Sequence, residues 1–146
     1  MEPYNQTTSI TSMNEEQFHK WTVDWLRITL PKGSVVHHSP NEGMRKMNFM
    51  RKLKTLGTNF GWPDLELFVP KRHWLDPELF APIFFELKNP VTKGRISKNQ
   101  REIGTALQEA DCHIFVVYQA EQIENELKKL ITIRIRENVI WTIPNI

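Results

Sequence analysis

Gly61-Trp62-Pro63-Asp64-Leu65, followed by Phe84-Phe85-Glu86-Leu87-Lys88, decides how this chain is read. Side chains alternate between the two faces of a strand, so Glu86 and Lys88 share one side while Leu87 points into a core. Leu65, Leu67 and Val69 alternate in the same way with Asp64, Glu66 and Phe68. A Gly-Trp-Pro turn feeds Asp64 in at the start of its strand, where its carboxylate can meet that of Glu86. Two hard oxygen donors beside an ammonium suit a divalent cation such as Mg²⁺ or Mn²⁺.

Working outward, Ser97-Lys98-Asn99-Gln100 reads as a capping box opening a helix whose apolar face is Ile103, Ala106, Leu107 and Ala110. His113 to Tyr118 then reads as a buried strand, and Glu121 to Leu130 as a helix. A helix between two strands makes a β-α-β crossover, which favours parallel pairing. Upstream, Ser12-Met13-Asn14-Glu15 reads as another capping box, ahead of a helix with Phe18, Trp21, Trp25 and Ile28 on one stripe, stopping near Pro31-Lys32-Gly33. Ser34 to His38 is expected to be extended. Met44, Met47, Met50, Leu53 and Leu56 recur at helical spacing until Gly57, which predicts an amphipathic helix with a core-facing methionine stripe. The loop from Pro70 to Ala81 holds Trp74, Leu75, Leu79 and Phe80, more apolar matter than a simple turn needs. Residues 131–146 alternate around Glu137-Asn138 and predict a C-terminal hairpin.

The chain has 146 residues, 40% of them hydrophobic and 25% charged, which fits one globular domain with its own core over residues 13–146 behind a disordered tail at 1–12. No stretch approaches the roughly 18 apolar residues that span a bilayer, and Met1 to Ser12 lacks a signal-peptide core, so the reading is a cytoplasmic protein with no membrane partner. Cys112 is the one cysteine, which excludes an intrachain disulfide and a thiolate zinc cluster. A net charge of +2 carries little by itself, but its distribution is uneven. Arg45, Lys46, Arg51, Lys52 and Lys54 lie between Gly43 and Gly57 without an acid, and Lys93, Arg95, Lys98 and Arg101 follow Lys88. These two basic segments flank the carboxylates, and phosphates are their natural partner.

Taken together, Asn41-Glu42-Gly43, Gly61-Trp62-Pro63-Asp64-Leu65, Glu86-Leu87-Lys88 and Ser97-Lys98-Asn99-Gln100 resemble, in order, the motifs of the virus-type replication-repair nuclease (VRR-NUC) domains of the PD-(D/E)xK nuclease superfamily. The resemblance runs from about His37 to Gln122. It implies an α/β fold with a restriction-endonuclease-like core of α-β-β-β-α-β type, its central mixed sheet flanked by helices. It also implies Mg²⁺- or Mn²⁺-dependent hydrolysis of phosphodiester bonds in DNA. The chain is most like short stand-alone phage members, which implies a homodimeric Holliday-junction resolvase acting in replication, recombination or repair, in the host cytoplasm. A flap, nicking or restriction-type nuclease with the same site is the alternative, and a non-catalytic DNA-binding module a more distant one.

Each residue also has a structural role to set against the chemical one. Asp64 could cap its turn, and Glu86 with Lys88 could be an edge ion pair, but charges in an otherwise buried strand are costly without a cation or substrate. By resemblance, Asp64, Glu86, the Leu87 backbone carbonyl and Glu42 are the metal ligands, and Lys88 serves the phosphate or the attacking water. Glu42 could equally be a helix-start carboxylate favoured by the dipole. Gln100 is either the capping partner of Ser97 or, by resemblance, a site residue orienting Lys88 or the attacking water. Glu66 reads as an exposed strand carboxylate, and His37 and His38, on opposite faces, as structural. Arg45, Lys46, Arg51, Lys52, Lys93, Arg95, Lys98 and Arg101 are the expected DNA contacts. Trp74, Leu75 and Phe80, with Trp21 or Trp25, are the expected dimer surface.

Overall fold

The alternation around Leu65 and the apolar run at Ile83 both become strands, and they pair with each other. The computed structural model describes residues 13–39, 51–52, 54–57, 60–91 and 94–134. Within them, helix α1 (Glu15–Thr29) leads to β1 (Val35–His38), β2 (Leu65–Phe68) and β3 (Ile83–Leu87), then to α2 (Lys98–Glu109), β4 (His113–Val117) and α3 (Ala120–Leu130). The four strands form one mixed sheet in the order β1-β2-β3-β4. β1, β2 and β3 are antiparallel neighbours, and β4 joins β3 in parallel through the α2 crossover, as a helical connection requires. The fold is therefore mixed α/β.

One face of the sheet carries the core. Leu65, Leu67, Ile83, Phe85 and Leu87 are fully buried and pack with Phe18, Trp21, Trp25 and Leu26 of α1 and Ile123 and Leu127 of α3. Phe18, Trp21 and Trp25 thus lie where the spacing puts them, whereas Ile28 is half-buried outside the cluster and Leu26 is buried in it. Its cap differs: Asn14 accepts from the Gln17 backbone N–H at 2.8 Å while the Gln17 side chain accepts from Asn14 N at 3.1 Å, so the capping box starts two residues later than Ser12. Asn caps as well as Ser, which is why the sequence offers both frames.

The loop after β2 is built rather than slack. Two short 3₁₀ turns, Lys71–His73 and Pro77–Leu79, bracket Trp74, which is buried and donates its indole N–H to Val69 O at 3.0 Å. Residues 131–134 run alongside it, with a bridge between Trp74 and Ile131 and a bond from Thr132 N to His73 O of 2.9 Å. Arg134 then closes the α1 C-terminus, its backbone N–H on Thr29 O at 2.7 Å and its Nε on Leu30 O at 2.8 Å.

Several expectations are corrected. Trp74, Trp21 and Trp25 lie in the core, so of the expected dimer residues only Leu75 and Phe80 are exposed. Leu56 is exposed rather than core-facing. β4 is half-buried along most of its length because it is an edge strand, and on α2 only Leu107 is buried, with Ala106 and Ala110 exposed. Arg51, Lys52, Lys54 and Thr55 are helical, and Gly57 follows at φ +98°, as a helix-ending glycine does. The tail at 1–12, the methionine stripe from Met44 to Leu53, and the hairpin turn at Glu137-Asn138 lie outside the described residues, as do Glu42, Arg45, Lys46 and Lys93.

Candidate active site

The site grows from the place where β2 stops pairing. Leu65 is the last β2 residue registered with β3, opposite Phe85, and at the next step the Asp64 side chain takes over from the backbone. The Leu87 N–H donates to Asp64 Oδ2 at 2.7 Å, so the carboxylate occupies a ladder position. In an antiparallel pair a residue presents its N–H and C=O to the same neighbour, so the Leu87 carbonyl also faces the Asp64 side of β3. Asp64 O in turn accepts from Ser39 N at 3.4 Å and bonds His38 Nδ1 at 3.0 Å, which ties the start of β2 to the end of β1.

Glu86 stands beside Asp64 on the face opposite the core. It is 4% exposed and Lys88 is 7% exposed, burial that charged groups accept only when paired. Lys88 Nζ lies 3.5 Å from Glu86 Oε1. Gln100 sits between the two: its Nε2 donates to Glu86 Oε1 at 2.7 Å and its Oε1 accepts from Lys88 Nζ at 2.9 Å. The same Oε1 accepts from the Ser97 backbone N–H at 2.9 Å, while Ser97 Oγ accepts from Gln100 N at 3.1 Å. One amide thus both caps α2 with Ser97 and bonds the Glu86 and Lys88 side chains.

Burial, and then the neighbouring Asp64 charge, push the Glu86 carboxyl up to about 8, against an opposing pull from Lys88. The two carboxyls are close enough for that proton to join them in a hydrogen bond. A divalent cation would replace the proton and relieve the repulsion that holds it there. The donors fit such an ion: Asp64 Oδ2 and Glu86 Oε1 are committed to protein donors, and each carboxyl keeps a second oxygen. Among the described residues, no group of three His, Cys, Asp or Glu side chains is gathered to hold an ion, and Glu42 lies outside them.

The turn that presents Asp64 depends on Gly61. Its φ is +88°, and a β-carbon there would lie 2.5 Å from the backbone carbon of Asn99 and 2.6 Å from Gln100 N. The backbone of the Gly-Trp-Pro turn is thus pressed onto the first turn of α2, the turn that carries Gln100. Trp62 stabilises the same arrangement, its ring edge-on to Phe84 at 5.6 Å and its Nε1–H donated to Glu66 Oε1.

Glu66 is consequently a half-buried brace, also accepting from Ser39 Oγ at 3.2 Å, and not an exposed strand carboxylate. The sequence signal for it was the acid four residues after Trp62, on the same strand face as Asp64. His19 was missed altogether: its ring meets that of His38 edge-on at 4.4 Å. Burial and His38 hold its pKa below the usual histidine value, with Asp64 pulling the other way.

Of the basic residues expected to meet phosphates, Arg51, Lys52, Arg95, Lys98 and Arg101 are all exposed. Arg101 is one residue beyond Gln100 and borders the same hollow as Glu86. No family model, curated protein or solved structure matches this chain. Among the described residues no helix is long and apolar enough to cross a membrane.

Proposed function

We propose that this protein is a metal-dependent, structure-specific DNA endonuclease with a restriction-endonuclease-like core, acting as a homodimeric Holliday-junction resolvase. One observation carries the catalytic reading: the Asp64 and Glu86 carboxyls and the Lys88 ammonium, from the ends of adjacent strands, meet the Gln100 amide of α2 in one largely buried cluster. A structural ion pair does not account for it, because a second carboxylate raises the cost of burying the first. The four motifs and the strand–strand–strand–helix–strand order β1-β2-β3-α2-β4 support the same reading.

Asp64, Glu86 and the Leu87 carbonyl would hold Mg²⁺ or Mn²⁺, with Glu42 as the fourth ligand that the resemblance implies. The bound cation supplies charge neutralisation at the scissile phosphate and acidity to the attacking water. The chain's own groups do the rest. To hold the cation Glu86 would give up its proton, which calls for a carboxyl that can still ionise near neutral pH. Lys88, fixed by Gln100, holds an ammonium where negative charge builds on the phosphate, and a donor already oriented there reorganises little during the reaction. Gln100 positions both groups from the rigid first turn of α2.

Two such centres make a paired incision, and a two-fold dimer supplies them. Leu75, Leu79 and Phe80 project from the loop after β2 and are the apolar residues offered for that contact. The test is cleavage of end-labelled four-way junction, flap, duplex and single-stranded DNA with Mg²⁺, Mn²⁺ or EDTA, alongside sedimentation. Symmetric nicks on opposing junction strands by a dimer support the reading. A monomer that nicks one strand only replaces the resolvase with the flap or nicking enzyme.

A further inference from the structure

Among the described residues, nothing closes the opposite face of the sheet beside Glu86. A hollow of about 180 Å³ lies between the Gly61-Trp62-Pro63 turn and α2, with Ile114 and Val116 of β4 behind it. A helix lying on a sheet ordinarily turns apolar side chains toward it. Here the stripe of α2 that lines the hollow is Gln100, Arg101, Gly104, Thr105 and Gln108, polar or lacking a side chain. Such a stripe leaves room rather than filling it, and the absent side chain at Gly104 is part of the room: a β-carbon there would meet nothing nearer than Ile114 Cδ1, at 3.8 Å.

The lining has two characters. Pro63, Ile96, Ile114 and Val116 give apolar walls, while Arg101 and Gln108 put polar ends at the rim. Gln100 is already engaged with Glu86 and Lys88, and Thr105 Oγ1 with Arg101 O at 3.0 Å. Among the described residues, no hydrogen bond or ion pair engages the side chains of Arg101 or Gln108, which are exposed and available to a ligand in the hollow. Apolar faces with a hydrogen-bonding edge are the chemistry of a nucleobase. The hollow falls below the roughly 300–1,000 Å³ of pockets that enclose a whole drug-sized ligand, and well above the ~30 Å³ share of a water molecule. It suits one ring system rather than a nucleotide.

We propose that this hollow receives the unstacked base of the nucleotide flanking the scissile phosphate, so that the preferred substrate carries an unpaired nucleotide at the cleavage position. The inference rests on the nuclease reading for its placement, since Glu86 lines the hollow and belongs to the carboxylate pair. A paired base would have to leave its stack to enter, whereas an unpaired one has little stacking to lose. A flap offers such a nucleotide, and a four-way junction offers paired bases whose stack is interrupted at the crossover, whereas continuous duplex offers neither.

Two independent experiments test it. In the first, cleavage with Mg²⁺ is compared on duplex, on duplex with one unpaired nucleotide at the cleavage position, and on the same DNA with that nucleotide abasic. Wild type should favour the unpaired nucleotide over the abasic site by roughly tenfold, which burial of about 50–60 Å² of base surface against apolar side chains supplies. Gly104→Leu, which fills the hollow from a helix position, should erase that preference, bringing cleavage of the base-bearing DNA down to that of its abasic counterpart. Gly104→Ala should keep it. Equal cleavage of the base-bearing and abasic DNA by wild type overturns the pocket whether or not the leucine variant folds.

The second experiment needs no cleavage. DNA with 2-aminopurine at the unpaired position is titrated with protein in Ca²⁺, and its emission should rise on binding wild type or Gly104→Ala but not Gly104→Leu. A rise without any cleavage in Mg²⁺ or Mn²⁺ would retain the base pocket and defeat the nuclease reading. Cleavage with no rise would do the reverse.

Discussion

The two faces of the sheet are built to opposite rules. On one, Leu65, Leu67, Ile83, Phe85 and Leu87 are fully buried under α1 and α3, with no polar side chain among them. On the other, Asp64, Glu66 and Glu86 each accept hydrogen bonds from neighbouring groups, Asp64 from the Leu87 N–H, Glu66 from Ser39 and Glu86 from Gln100 of α2, next to a hollow. The first face gains stability from every contact. The second holds a carboxyl whose charged form the burial disfavours, a departure from good packing that concentrates at functional sites.

The largest effect should come from the packed face. Phe85 is fully buried against Phe115, so Phe85→Ala should cost about 3–5 kcal/mol in chemical denaturation, through lost burial and the cavity left behind. A loss below about 1 kcal/mol would show that this face is not the core. Asp64→Ala and Lys88→Ala should behave in the opposite sense, keeping the fold while lowering DNA cleavage by at least ~10²-fold, the scale of one preorganised charge. Collapse of both variants in circular dichroism would make the network structural.

Gly61→Ala falls between the two faces. The left-handed φ alone costs about 1–2 kcal/mol for a residue with a β-carbon, and the close approach to Asn99 adds to it. Its denaturation midpoint should drop, and cleavage should fall further than stability explains, because Gln100 moves with the α2 first turn. Wild-type activity in a destabilised Gly61→Ala would separate the turn from the site.

How much of this was legible in the sequence follows the same division. Period-2 alternation at Leu65 to Val69 and the apolar run at Ile83 gave both strands and their core face, because burial on one side dictates the pattern. Asp64, Glu86, Lys88 and Gln100 were legible because strand parity and helix capping fix where such side chains point. Glu66 and His19 were not: their roles depend on Trp62 and His38, contacts between elements that no local period encodes. The tryptophans misled in a similar way. Trp74 reads as a surplus aromatic in a loop, and only the strand-like run of residues 131–134 beside it shows what covers it. The cap of α1 slipped because two adequate capping residues stand two positions apart.

A further effect concerns pH. Glu86 in the folded protein keeps its proton up to about 8, against an ordinary value of 4.5, so between those values the folded state holds a proton that the unfolded chain has released. Raising pH through that window therefore favours unfolding, and above it the contribution no longer changes. Glu86→Gln has no such proton. In EDTA its stability should match wild type near pH 4 and exceed it increasingly toward pH 8. Parallel pH profiles for the two proteins would mean that Glu86 is already ionised in the fold, and that the second face carries no such penalty.

The most direct measurement is cleavage of a labelled four-way junction by purified wild type and Glu86→Ala, side by side, in Mg²⁺ and in EDTA. Cleavage by wild type in Mg²⁺ alone, with Glu86→Ala folded and at least ~10²-fold slower, is the result predicted for a metal centre built on the Asp64 and Glu86 carboxyls. Near-wild-type cleavage by Glu86→Ala, or cleavage that persists in EDTA, would contradict it.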